Sequence, residues 1–275
     1  MVKNCRIIHC SYHKCLTVYY AKVMEKLYNT LLPWSKGYRH FNSRVDEFYE
    51  NLDNYKILSV NNHKLDFERL GEFRLSRFVR DPRDMIVSGY FYHKRGAEDW
   101  CNIVGPKPDD WKVVNGNIPK EMGPEHSYSS YLQSLSQEEG LLAEIEFRKH
   151  HYESMLAWPT DDPRIVTFRY EDILGHEQNI YGQVFEFYEL PWMERIIANY
   201  LVGKYAAKGG KKKYHIRNPE PNQWKKCFTP RVSDYFHERY SGVLDKLGYD
   251  PNPDVLATSQ SVREEQRLVG MGAEV

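Results

Sequence analysis

Blocks of apolar residues separated by polar turns run along this chain, and their spacing switches between strand and helix periods. Residues 6–10 form a short apolar run, residues 11–17 a polar turn, and residues 18–28 place Tyr20, Val23, Met24 and Leu27 on one helical face. Residues 55–60 and 75–79 read as two further strands. The second of these runs into Asp81, Pro82 and Asp84, which open a helix through Tyr92 as N-cap, first-turn proline and closing carboxylate. Ser43 with Asp46 opens a short helix, residues 127–135 form another, and Ser136 with Glu139 caps a longer one that runs to Trp158. A strand over residues 164–168, helices over 178–188 and 191–205, and a last helix from Thr229 to a stop at Gly248 complete the series.

Strands alternating with helices predict one three-layer α/β/α domain over residues 1–250. Its centre is a parallel sheet of four or five short strands with helices on both faces, and residues 251–275 form a tail. Over residues 96–123 the periodicity dissolves into Pro, Gly, Asp and Asn around Trp100 and Trp111, which predicts a packed substrate lid.

Charge and cysteine usage narrow the class. The 275 residues hold 38 Lys and Arg against 38 Asp and Glu, and a neutral chain argues against a nucleic-acid or membrane-surface protein. With no long apolar run and no basic segment leading into one, neither a membrane span nor a targeting peptide is expected. Five cysteines, three of them crowded at Cys5, Cys10 and Cys15, fit reduced thiols in a cytoplasmic protein. Cys10 and Cys15 with His9 or His13 lack the CxxC spacing of a metal site, so no metal is expected.

The candidate chemistry sits at strand ends. A strand that turns directly into a helix leaves the first helical N–H groups unpaired and aimed at one spot, where the helix dipole favours an anion. Lys14 and Thr17 lie in that turn and either complete a phosphate or sulfate cradle or are solvated loop residues; the GxxxxGK[ST] pattern of nucleoside triphosphate sites is absent. His63 follows the second strand, at the edge where open parallel sheets bind ligands. Arg80 ends the third strand and faces the same cleft as Ser88, with Arg83 expected in solvent. Residues 208–213 form a basic loop.

Four of these stretches, in order, resemble the cytosolic-type sulfotransferase family, which uses 3′-phosphoadenosine-5′-phosphosulfate (PAPS) as donor. His13-Lys14-Cys15-Leu16-Thr17-Val18-Tyr19 is similar to its PKSGTTW loop, Arg80 through Ser88 to its 3′-phosphate segment, Phe168 through Asp172 to its YED stretch, and Arg217 through Thr229 to its RKGxxGDWKxxFT segment. Leu16 stands in place of the loop glycine, Val18 in place of a threonine, and Asn218-Pro219 where Lys-Gly is usual. The family's dimer segment KxxxTVxxxE is reduced to Lys225, Thr229 and Asp234, which leaves the oligomeric state open.

The resemblance implies a P-loop-like sulfotransferase fold, a PAPS-binding site and a transfer reaction. Lys14 to Tyr19 would hold the 5′-phosphate side of PAPS, Arg80, Ser88, Arg217 and Asn218 the 3′-phosphate, and Tyr170 the adenine. Lys14 would offset charge on the leaving phosphate, and His63, in the place of the family's KTHLP histidine, would be the general base for a small or lipid-like hydroxyl acceptor. A nucleotide kinase and a non-catalytic nucleotide-binding relative remain the alternatives.

Overall fold

The computed structural model describes residues 5–206 and 219–250. Five parallel strands, β1 (Arg6–Ser11), β2 (Tyr38–His40), β3 (Ile57–Asn61), β4 (Phe73–Val79) and β5 (Ile165–Arg169), form one sheet in the order β2-β3-β1-β4-β5. In the centre Ile8 pairs with Leu58 on one side and Leu75 on the other. The helices are α1 (Thr17–Met24), α2 (Val45–Glu50), α3 (Pro82–Lys94), α4 (Tyr128–Ser134), α5 (Gln137–Phe147), α6 (Lys149–Leu156), α7 (Tyr170–Ile173), α8 (Glu177–Phe187), α9 (Trp192–Tyr205), α10 (Trp224–Cys227) and α11 (Pro230–Leu247).

Alternation along β1 divides the core. Ile7 packs with α1, α8 and α9 through Tyr20, Val23, Tyr181, Val184 and Val202, while Ile8 and Cys10 pack with Phe48 of α2 and with Trp158. A third apolar cluster joins α3 to α6 and α11, and Tyr12, Cys15 and Val79 tie it to the C-terminal edge of the sheet. Because β1 leads to β3 on one side and β4 lies on the other, the ends of β1 and β4 border the crevice where open α/β sheets place ligands.

The expected α/β layering is present with five strands, and the differences have local causes. β2 was missed because three residues carry no periodicity; its place is held by Asn29, whose side chain accepts from Tyr38 N–H at 2.8 Å and donates to Tyr38 C=O at 3.0 Å. The first helix does not end near Tyr28 but widens to π geometry over Glu25–Leu31. The expected long helix to Trp158 breaks at Arg148. There Asn117 donates from its backbone to Phe147 C=O at 2.9 Å and from its side chain to Glu146 C=O at 3.1 Å, diverting two carbonyls from the helix ladder. Ser43 does not cap α2; it lies at φ 57 and is bonded to the end of β3 through Asn61 Oδ1 at 2.7 Å.

Asp81 caps α3 as expected, accepting from Arg83 N–H at 2.9 Å. Arg83, expected in solvent, is buried: it pairs with Asp81 at 2.8 Å and lies 3.9 Å over the Trp224 ring. Asp84 does not close the cap either. Its carboxylate accepts from Asn222 N–H at 2.7 Å and Trp224 N–H at 3.0 Å, docking the C-terminal segment onto α3. Among the described residues no helix is long and apolar enough to cross a membrane.

Candidate active site

The turn after β1 is wound tightly. Cys15 N–H donates to Tyr12 C=O at 2.9 Å, Ser11 and Thr17 share a hydroxyl hydrogen bond at 2.7 Å, and Lys14 and Leu16 both adopt left-handed backbone, at φ 74 and 62. His13 N–H donates to Asn62 Oδ1 at 2.7 Å, joining the turn to the end of β3. Leu16 starts α1, its carbonyl accepting from Tyr20 N–H at 2.9 Å, so the first-turn N–H groups of Thr17, Val18 and Tyr19 have no carbonyl within the helix. Val18 is exposed and the Tyr19 hydroxyl donates to Val202 C=O at 2.7 Å, so neither side chain is turned to a shared spot with Lys14 by any contact. Burial pushes the Cys15 thiol up to about 12, which leaves it neutral.

Lys14 and Arg80 meet at this turn. Arg80 Nη1 donates to Lys14 C=O at 3.4 Å, its guanidinium carbon lies 4.2 Å over the Tyr170 ring, and its buried Nε has no hydrogen-bond partner among the described residues. Lys14 Nζ rests 3.6 Å over the Tyr92 ring. Burial lowers the Lys14 ammonium to about 8, with Glu98 opposing that shift and Arg148, Arg80 and Arg95 adding to it. Tyr170 donates its hydroxyl to Pro219 C=O at 2.6 Å, which brings the C-terminal segment beside Arg80. Ser88 lies half-buried on α3. Arg217 and Asn218 lie outside the described residues.

His63 stands one residue beyond Asn62, the residue that holds the turn, and its Nε2 is buried with no partner among the described residues. Burial lowers its imidazole from the ordinary value, with contacts to Ser43 and Asp46 pulling the other way, so it is neutral at physiological pH. The structure therefore gathers Lys14, Thr17, Arg80 and Tyr170 around one turn and sets His63 next to the residue that pins it.

Trp100 and Trp111, from the stretch expected to form a packed lid, are packed into the apolar cluster. Trp111 and Tyr128 are fully buried, and Trp100 stacks on Phe147 at 5.3 Å within the apolar cluster. Beneath them lies a charged cluster that the sequence did not disclose: His93 Nδ1 is 2.8 Å and the Tyr128 hydroxyl 2.9 Å from Glu144 Oε2, and Arg148 Nη2 is 2.9 Å from Glu144 Oε1. Burial alone would raise the Glu144 carboxyl, but His93 and Arg148 outweigh it and hold it below its usual range. Arg148 follows Glu144 by four residues at the end of α5, both are fully enclosed, and that spacing was the only advance hint. Glu98 was missed too, because a single acid in an irregular stretch carries no pattern.

Comparison with known proteins bears on the family and the fold. Residues 74–248 match the sulfotransferase domain family. No curated protein matches the chain by sequence. Among solved structures, mouse sulfotransferase SULT7A1 complexed with PAP superposes with a TM-score of 0.51 at 15% identity, over 88% of this chain and 86% of that one. Retinol dehydratase in complex with androsterone and PAP gives a TM-score of 0.48 at 14% identity, over 89% and 82%. The likeness to the mouse protein concerns the fold, whereas the domain match spans well over half of the 275 residues and takes in Arg80, Tyr170 and Trp224. The chain belongs to the sulfotransferase domain family.

Proposed function

We propose that this sulfotransferase takes its sulfuryl group from PAPS and transfers it in line to the hydroxyl of a small or lipid-like acceptor. The observation that carries the reading is the meeting of Arg80, whose buried Nε has no partner among the described residues, and Lys14 at the N-terminus of α1. A buried guanidinium, a half-buried ammonium and a helix N-terminus form a site for an anion with more than one phosphate. PAPS supplies the sulfuryl group and a phosphate that departs with negative charge. Lys14, Thr17 and the first N–H groups of α1, over Cys15 to Tyr19, receive the 5′ side; Arg80 and Ser88, with Arg217 and Asn218, hold the 3′-phosphate; Tyr170 borders the base. Lys14 offsets charge on the departing phosphate, which is where such transfers gain most of their rate.

His63 takes the acceptor's proton at Nε2. A neutral, partly desolvated imidazole whose Nε2 has no partner among the described residues suits that role. The charge work falls to lysine and arginine, so the reading calls for no metal, and five free cysteines suit a cytoplasmic protein. A thermal-shift titration tests the donor: adenosine 3′,5′-bisphosphate should raise the melting temperature, ADP much less, and Arg80→Ala should abolish the rise. A rise with ATP and magnesium alone would point to the kinase alternative instead.

A further inference from the structure

Glu98 belongs to the irregular segment after α3, outside every stretch used above for the donor, and three groups converge on its carboxylate. His13 Nε2 lies 3.5 Å from Glu98 Oε1. The Trp100 indole N–H donates to Glu98 Oε2, and the Tyr92 hydroxyl bonds the same carboxylate. His13 is the chain neighbour of Lys14, and Tyr92 is the ring under Lys14 Nζ, 3.6 Å from its centroid. Glu98 therefore touches both groups that determine where Lys14 points. The segment that carries it is itself fixed: Gly96 turns at φ 62, and Asn102 Nδ2 donates to Gly96 C=O at 3.1 Å and Glu98 C=O at 3.3 Å.

We propose that Glu98 is a positioning residue for Lys14, holding the turn through His13 and the ammonium through Tyr92, and so coupling the order of the segment after α3 to the donor site. The proposal rests on the donor reading above. Lys14 is surrounded by like charge: Arg80 from the end of β4, Arg95 after α3, and Arg148 between α5 and α6, with the neutral rings of His13 and Tyr92 completing the surroundings. Glu98 is the carboxylate acting against those cations, and its own carboxyl, raised by burial, is carried well below its usual range by His13 and Trp100. An ammonium kept charged and aimed before the donor arrives needs no rearrangement as charge develops on the leaving phosphate. Glu98 exchanges no atom with the substrate.

The test reads Lys14 directly, by carbon-13 NMR of labelled lysines in the full chain without nucleotide, with Lys14→Arg identifying the signal. In Glu98→Gln the Lys14 midpoint should fall by about one pH unit from the wild-type value, Glu98→Asp should restore part of the shift, and Tyr92→Phe should give a smaller fall. Affinity for adenosine 3′,5′-bisphosphate at pH 8 should fall about tenfold in Glu98→Gln. A residue that merely stabilised the loop would leave the midpoint in place. If Glu98→Gln does not fold, Glu98→Asp and Tyr92→Phe carry the test, and an unchanged midpoint in the folded variants overturns the proposal. A midpoint that moves in a protein whose wild type binds no adenosine 3′,5′-bisphosphate leaves the Glu98–Lys14 coupling standing and removes the donor reading.

Discussion

The Arg80 guanidinium lies 4.2 Å over the Tyr170 ring, and each residue directly follows the end of its strand. The register explains the meeting: Val79, the last residue of β4, pairs with Arg169, the last of β5, so the next residue of each chain segment emerges beside the other. Tyr170 thus presents a ring face to a cation, with its hydroxyl taken by Pro219 C=O.

Arg80→Ala should weaken adenosine 3′,5′-bisphosphate binding about 10–100-fold, the worth of charge-assisted hydrogen bonds to a phosphate. Tyr170→Ala, which removes the platform but leaves the charge, should cost about tenfold, and Tyr170→Phe less. Isothermal titration calorimetry decides. Equal losses in Phe and Ala variants would assign the effect to the Pro219 contact.

His63→Asn should lower kcat by about 10²–10⁴-fold while leaving nucleotide affinity intact. Because burial lowers the His63 imidazole, the acid limb of the kcat profile should lie below the ordinary histidine range, with activity rising as the ring loses its proton. An acid limb that persists unchanged in the Asn variant would assign the proton transfer to another group.

Leu16 holds a left-handed backbone at φ 62, where a Cβ is penalised. Leu16→Ala and Leu16→Gly lose the same side-chain contacts, so the glycine variant should be the more stable by about 1 kcal/mol, the reverse of the order in a helix interior. Urea denaturation of the two proteins measures it.

Glu144→Ala leaves Arg148 and His93 buried without their anion and should cost about 3–5 kcal/mol, seen as a melting temperature lower by at least about 6 °C. Gly89→Ala should also destabilise, since a Cβ there overlaps the Glu144 carboxylate and the Arg148 guanidinium. A mild effect in both would show that α3 and α5 can separate without loss.

Stability should fall on acidification well before carboxylates titrate. Burial lowers His13 and His40 to about 4, and His9 and His151 well below the usual value, while the unfolded chain takes up those protons near pH 6.5. The unfolded state then binds more protons, and each such histidine removes up to about 1.4 kcal/mol per pH unit below that point. Urea midpoints between pH 7 and 5 should show a steep loss; a flat profile would mean that these rings are protonated in the folded protein.

Periodicity and caps made the layered fold legible, down to Asp81 at the start of α3, Ser136 at the start of α5 and Thr229 at the start of α11. Lys14, Thr17 and Arg80 were legible because each sits where a strand ends, and the topology brings strand ends together. Arg83 was misplaced in solvent because its burial depends on Trp224, some 140 residues later, and the short strand β2 was invisible because an asparagine side chain, not a pattern, holds it.

The sequence by itself determined where the chain turns, which strand ends carry cations, and the α/β layering, because these depend on local hydrogen bonding and on which side chains avoid water. Only the tertiary structure decided what surrounds each charge. Lys14, Arg80, Glu98 and Glu144 each have a partner from a distant segment, Tyr92, Tyr170, His13 and His93 respectively, and the energy of a buried charge is set by such neighbours and by the loss of water, neither of which a linear pattern contains.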